Sequence, residues 1–191
     1  MPLAESERKL TYADYLRWPD EDRWEVIEGE AFAMTPAPSF RHQRVAFRFA
    51  YALETALRGR PCVPCLAPID VVLAEDTVVQ PDVVVICDPS KIRPDRVAGA
   101  PDLVVEVVSP TTGFKDRKVK RDLYERHGVR EYVLLDPDAQ CAERYALCQD
   151  GAYGKAEVFG PAEVLILGSL GGVEISLAEV FESAAPPPQR P

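Results

Sequence analysis

Gln80-Pro-Asp-Val-Val-Val-Ile-Cys87 and Pro101-Asp-Leu-Val-Val-Glu-Val-Val-Ser-Pro110, followed by a basic segment containing Lys120, form the stretch on which the rest of the chain depends. Each apolar run carries one carboxylate, Asp82 or Glu106, where a buried strand would hold another Val or Ile. A buried carboxylate is costly unless it has a partner. Side chains alternate along strands, so Asp82 shares a face with Val84 and Ile86, and Glu106 shares one with Val104 and Val108. If the two runs lie side by side, both carboxylates can converge on a divalent cation. The competing reading has Asp82 capping a strand end and Glu106 in a buried ion pair with Lys120, which leaves a non-catalytic module.

Working outward, Ile69 to Leu73, Val78 to Cys87 and Leu103 to Val108 read as three strands, the first two an antiparallel pair and the last two separated by a Pro- and Gly-containing loop. Thr111, Thr112 and Gly113 lead into a helix from about Phe114 to His127, stopped by Gly128. Lys120 and Tyr124 are i and i+4 on one face of it. Upstream, Ser39 caps a helix to about Leu57 with Gly59 as its stop. His42, Ala46, Phe49, Leu53 and Leu57 form its buried stripe, and Arg41, Arg44 and Arg48 line another face. His42, at the stripe's edge, is expected as a hydrogen-bonded core residue.

Thr11 and Asp14 resemble a cap for a short helix from Tyr12 to Arg17, and Trp24 to Glu28 with Glu30 to Met34 reads as a hairpin about Gly29. Glu25 and Glu28 are expected as exposed acids of an edge hairpin, with a place near the cation as the alternative. Downstream, Glu131 to Asp136 is a strand, Cys141 to Leu147, Tyr153 to Phe159 and Val164 to Leu167 are shorter ones, and Leu177 to Phe181 is a last helix.

A length of 191 residues, 47% of them hydrophobic, suits one domain with a substantial core. We expect that domain over residues 1–185, with a disordered tail at 186–191. No signal pattern opens the chain and no apolar run approaches the roughly 20 residues that span a bilayer, so a cytoplasmic protein without a membrane partner is expected. Five cysteines is an odd number, and nothing indicates export, so reduced thiols are expected rather than a disulfide framework. Cys62-Val-Pro-Cys65 has redox-motif spacing but follows a helix stop and Pro61, and is read as structural thiols. With His42 and His127 as the only histidines, a multi-histidine zinc site is excluded. The absence of Asn beside 18 Pro fits a heat-adapted source or a biased genome.

The net charge of -9 argues against an indiscriminate nucleic-acid binder. Its distribution says more than its sum. Arg41 to Arg60 holds five Arg against Glu54, and Lys115 to Arg130 holds seven Lys or Arg against three acids. Arg41, Arg44 and Arg48, with Lys115 and Lys118, can form a local phosphate-facing surface, or they are ordinary solvated helix faces. No internal repeat, Walker loop or Gly-x-Ser-x-Gly elbow is present.

Trp24-Glu-Val-Ile-Glu-Gly29, Gln80-Pro-Asp-Val83, Val105-Glu-Val-Val-Ser-Pro110, Lys120 with Tyr124, Gly128-Val-Arg-Glu-Tyr132 and Asp136-Pro137 occur in that order. Together they resemble the PD-(D/E)xK phosphodiesterase superfamily, the fold of many restriction endonucleases. More narrowly, they resemble the restriction-endonuclease-like family expanded in cyanobacteria and also found in thermophilic bacteria. The resemblance covers about Tyr12 to Phe181. It implies an α/β (α+β) fold: a restriction-endonuclease-like core whose mixed central sheet is flanked by helices, with an added N-terminal hairpin and C-terminal strands.

The superfamily pattern places Lys two residues after the acid, where this chain has Val108. The resemblance assigns that role to Lys120 on the following helix. It implies a metal-dependent endonuclease acting on nucleic acid, DNA ahead of RNA, as a homo-oligomer (dimer or higher). Asp82, Glu106 and the Val107 carbonyl would hold Mg²⁺ or Mn²⁺, and Lys120 would orient water or stabilise the transition-state charge. Gln80, Tyr124 and Glu25 are the second tier of site residues. A catalytically vestigial module for nucleic-acid binding or assembly is the alternative, and a thiol-redox protein built on Cys62 and Cys65 is a third reading resting on spacing alone.

Overall fold

The computed structural model describes residues 8–19, 23–34, 37–109 and 115–181, with backbone alone at 115–117. The first half runs α1 (Tyr12–Tyr15), β1 (Trp24–Ile27), β2 (Glu30–Ala33), α2 (Phe40–Leu57), β3 (Val63–Leu66), β4 (Asp70–Ala74), β5 (Thr77–Val79) and β6 (Val83–Ile86). The second half runs β7 (Arg96–Ala98), β8 (Leu103–Val107), a π-helical turn (Lys115–Lys120) entering α3 (Arg121–Arg126), β9 (Glu131–Asp136), β10 (Cys141–Ala146), β11 (Glu157–Phe159), β12 (Val164–Leu167), β13 (Val173–Ser176) and α4 (Leu177–Phe181).

Two mixed sheets carry these strands, in the orders β2-β1-β5-β4-β7 and β11-β10-β9-β8-β6-β3. The apolar run from Val78 to Cys87, expected as one strand, is two: β5 lies in the first sheet and β6 in the second. Pro81, between them, has no N–H to give a ladder, so the chain leaves one sheet there and enters the other. In the second sheet β6 and β8 are antiparallel, and β8 and β9 are parallel across the helical crossover. β12 and β13 form a separate hairpin.

Alternation in the buried strands of the second sheet explains the layering. Val83, Val85, Leu103, Val105 and Val107 face α2, the β12–β13 hairpin and α4 in one apolar cluster. Val84, Ile86 and Val104 face the other way, where they pack with α3 and with Ile27, Val71 and Val79 of the first sheet. A sheet buried on both sides reads as a continuous Val/Ile run, which is what β6 and β8 are. Asp82 and Glu106 fall on the parity of the second cluster, between the two sheets.

Local signals act as expected at the helix starts. Ser39 accepts the His42 N–H, and Thr11 and Asp14 form a reciprocal capping box on α1. Other expectations fail for local reasons. β3 is a strand that the sequence reading did not predict, and its Pro64 is tolerated because β3 is an edge strand. Cys62 bonds to Cys87 across the β3–β6 pair, not to Cys65, so the expectation of reduced thiols is wrong for these two. Cys65, Cys141 and Cys148 are thiols outside that bond. β7 lies within the stretch expected as a loop, and β13 is a strand for which the sequence carried no expectation. The expected tail at 186–191, and the residues leading into the crossover helix, lie outside the described residues.

Candidate active site

The register that opposes Val83 to Val105 sets Asp82, one step further, opposite Glu106. Asp82 Oδ2 accepts the Val107 N–H at 2.8 Å and lies 3.3 Å from His42 Nε2 at the start of α2. Glu106 Oε1 accepts from Lys120 Nζ at 2.8 Å and from the Tyr124 hydroxyl at 2.9 Å. Lys120 Nζ is also 2.9 Å from Glu25 Oε1, which takes the Gln80 N–H at 3.2 Å. Glu25, Glu106 and Lys120 are 1%, 4% and 5% exposed, so all three sit in the interior.

Four places in the chain supply this cluster. β8 supplies Glu106, β1 supplies Glu25, the bend after Pro81 supplies Asp82, and the junction of the π-helical turn with α3 supplies Lys120 and Tyr124. The i, i+4 spacing of the last two brings both onto one oxygen of Glu106. Single π-helical turns inside helices recur at functional sites.

Among the described residues the Lys120 ammonium bridges the Glu25 and Glu106 carboxylates, while Asp82, across the ladder, takes the Val107 N–H and lies beside His42. The donor chemistry is that of hard oxygens: two facing carboxylates and the backbone carbonyl next to Glu106. Among the described residues no three His, Cys, Asp or Glu side chains gather as a ready metal site. Two carboxylates, a carbonyl and water suit Mg²⁺ or Mn²⁺, which keep several waters, better than an all-protein cage.

Glu25 was expected as an exposed acid on an edge hairpin. Instead β1 lies between β2 and β5, and Glu25 points inward at Lys120, whereas Glu28 is exposed and pairs with Arg126. His42, expected as a hydrogen-bonded core residue, has its Nε2 3.3 Å from a carboxylate oxygen of the candidate ligand Asp82. Helical spacing alone could not show that partner. Gln80 lies beside the cluster through its backbone, while its side chain turns away to Arg23, Tyr15 and Asp70.

The cationic residues are less uniform than their spacing suggests. Arg41 pairs with Asp138 at 2.8 Å, Arg48 donates to the Glu179 carbonyl at 3.0 Å, and Arg44 lies over the Phe47 ring. Lys118 is exposed, and the Lys115 side chain lies outside the described residues.

The fold is that of an α+β nuclease-like protein, with mixed sheets flanked by helices. It follows a crystal structure described as a putative nuclease belonging to DUF820, from Anabaena variabilis ATCC 29413, with a TM-score of 0.73. That likeness covers 90% of this chain and 97% of the other at 21% identity, and it speaks for the fold alone. The uncharacterized protein slr1290 of Synechocystis sp. is 29% identical over 147 residues, which are 75% of this chain and 77% of that protein. Residues 12–178 match the family described as Uma2, putative restriction endonuclease, and the chain belongs to that family.

Proposed function

We propose that the protein is a metal-dependent endonuclease that hydrolyses phosphodiester bonds of nucleic acid, with DNA the first substrate to test. The observation that carries this reading is the buried Lys120 ammonium within 2.8 Å of Glu106, supplied by a helix where Val108 leaves the strand position without a cation. Asp82, Glu106 and the Val107 carbonyl would hold Mg²⁺ or Mn²⁺. That ion would supply Lewis-acid activation of the scissile phosphate and a more acidic bound water.

The chain's own groups do the rest. Lys120 holds positive charge where negative charge develops on the phosphoryl oxygens, and it needs no reorganisation because Glu25 and Glu106 fix its ammonium. Tyr124 orients Glu106 by donating to the same oxygen as Lys120. His42 and the Val107 N–H hold Asp82 in place. A dimer or higher assembly would bring one such site to each strand of a duplex.

The test is incubation of purified protein with supercoiled, linear and single-stranded DNA and with RNA, in Mg²⁺, Mn²⁺ or chelator. Cleavage with metal and none with chelator is expected, and no cleavage of any substrate would overturn the reading. A second reading, a vestigial module for nucleic-acid binding or assembly, is favoured by the same Lys120 contacts, which can satisfy Glu25 and Glu106 without metal. Melting with and without Mn²⁺ separates the two. A metal site is stabilised by mass action, and a closed ion-pair cluster is not.

A further inference from the structure

Next to the carboxylate cluster, Tyr15, Trp18, Arg23, Pro68, Asp70 and Gln80 line a cavity of about 370 Å³ that the proposed hydrolysis does not use. One side of it is aromatic. Tyr12, Tyr15, Trp18 and Trp24 succeed one another at ring separations of 5.9, 5.6 and 5.7 Å, so the Tyr15 and Trp18 rings are braced from behind. The other side is polar and prearranged. Gln80 Nε2 donates to the Tyr15 hydroxyl at 3.0 Å and to Asp70 Oδ1 at 2.9 Å, and the Tyr15 hydroxyl donates to the same Oδ1 at 2.9 Å. Arg23 clamps Gln80 Oε1 through Nε at 3.0 Å and Nη2 at 2.7 Å.

These bonds fix the shape of the cavity and leave specific capacity at its surface. Asp70 Oδ1 takes both internal bonds, so Oδ2 is the acceptor for a ligand N–H, and Arg23 has a third nitrogen to offer. The Tyr15 phenol is pushed up to about 12, first by burial and then by Asp70, so it remains a neutral donor across the working range of pH. The Trp18 ring with the Tyr15 ring set edge-to-face against it at 64°, a carboxylate acceptor and a guanidinium form a combination suited to a planar, N–H-bearing, anionically tethered ligand.

We propose that this cavity receives a nucleobase of the substrate strand, stacked on the Trp18 ring beside Tyr15, with its N–H edge on Asp70 and its own phosphate toward Arg23. Proteins that act on or track single strands use aromatic side chains as stacking platforms and hydrogen bonds to the base edge. The placement suits a base close to the scissile bond. Gln80 lines the cavity, stands two residues before Asp82, and gives its main-chain N–H to Glu25, the carboxylate on Lys120. The identity of the strand rests on the nuclease reading, but binding of the base does not.

The experiment is done in chelator, so that nothing is cut. Deoxynucleoside 5′-monophosphates are titrated against tryptophan fluorescence, and single-stranded oligonucleotides with one abasic residue are compared with intact ones for affinity. Saturable quenching by the monophosphates is expected, with weaker binding of the abasic strand. Trp18→Ala is expected to weaken both roughly 5- to 150-fold, the range for losing one base–aromatic stack. Asp70→Asn keeps the size of the side chain and exchanges the free acceptor for a donor. Its expected loss is about tenfold, and it carries the test if Trp18→Ala does not fold. Absence of quenching, equal affinity for abasic and intact strands, or unaltered binding by folded Asp70→Asn would each overturn the proposal. Nucleotide binding without cleavage under any metal would sink the nuclease reading and leave the base site standing, whereas cleavage without these binding effects would do the reverse.

Discussion

Lys120→Met removes an ammonium lying 2.8 Å from Glu106 and 2.9 Å from Glu25, among side chains that are each at most 6% exposed. Met keeps most of the apolar stem's packing, so the loss is electrostatic. Two buried carboxylates are left without their shared cation, and breaking a buried pair from one side costs about 3–5 kcal/mol. For a chain of this size that lowers Tm by roughly 6–20 °C. The pH dependence has a definite sign. A proton on either glutamate relieves the repulsion, so the folded variant binds protons more tightly than its unfolded chain, and its deficit against the parent narrows as pH falls and widens toward neutrality. Adding Glu25→Gln removes one of the two stranded charges and restores part of the stability. Cleavage behaves differently, because the double variant still lacks the ammonium and stays at least about 100-fold slower than the parent. Calorimetric melts at several pH values and a nicking assay measure the two effects separately. A variant that melts with the parent at neutral pH refutes the buried cluster, and undiminished cleavage by a folded variant refutes the role of Lys120.

Asp82→Asn and Glu106→Gln are each expected to abolish metal-dependent cleavage while leaving a folded protein by circular dichroism; either one cutting as well as the parent would mean the metal site lies elsewhere. For nucleic-acid affinity, Lys118→Ala and Arg44→Ala should shallow the dependence on salt by about one counterion each, measured by anisotropy from low to high salt. Arg41→Ala and Arg48→Ala should do less, since Asp138 and the Glu179 carbonyl already engage those side chains; equal effects at all four positions would contradict that ranking. Burial, then the neighbouring Arg126, holds the His127 imidazole below its ordinary value. Its contribution to stability is therefore present above about pH 6.5 and is lost as pH falls, so His127→Gln should flatten the acid side of a urea-midpoint profile, and an unchanged profile would contradict it.

The strands β6 and β8 were legible because doubly buried strands read as unbroken apolar runs, and α2 because a cap, a stripe and a stop agree over its length. Asp82, Glu106 and Lys120 stood out because a charge in such a run needs a partner. The Lys120–Glu106 contact joins residues 14 apart, within reach of a strand–helix reading. Glu25 was misjudged because its partner is 95 positions away in sequence order, and nothing local distinguishes an acid on an edge strand from one on a strand flanked on both sides. The break at Pro81 was missed since apolar residues continue on both sides of it, and sheet membership is a tertiary property. The Cys62–Cys87 bond escaped for the same reason, because β3 had to be recognised before the two residues could be placed side by side.

The departure at Val108 also has a packing explanation. Val108 shares its parity with Glu106 and lies in the apolar cluster with Leu123 and Tyr124 of α3. A lysine there would drive its stem and charge into the space those side chains fill, at the cost of desolvation without a carboxylate partner from the helix. The same helix that closes off position 108 runs over Glu106, so an ammonium carried on its first turn reaches the carboxylate from above while Tyr124 satisfies it from one turn later. Glu25, entering from the other sheet, then fixes Lys120 from the opposite side. Migration of the cation from strand to helix thus depends on three elements meeting at one ammonium, that of Lys120. That is possible here because the chain changes sheets at Pro81 and brings β1 against the end of β8.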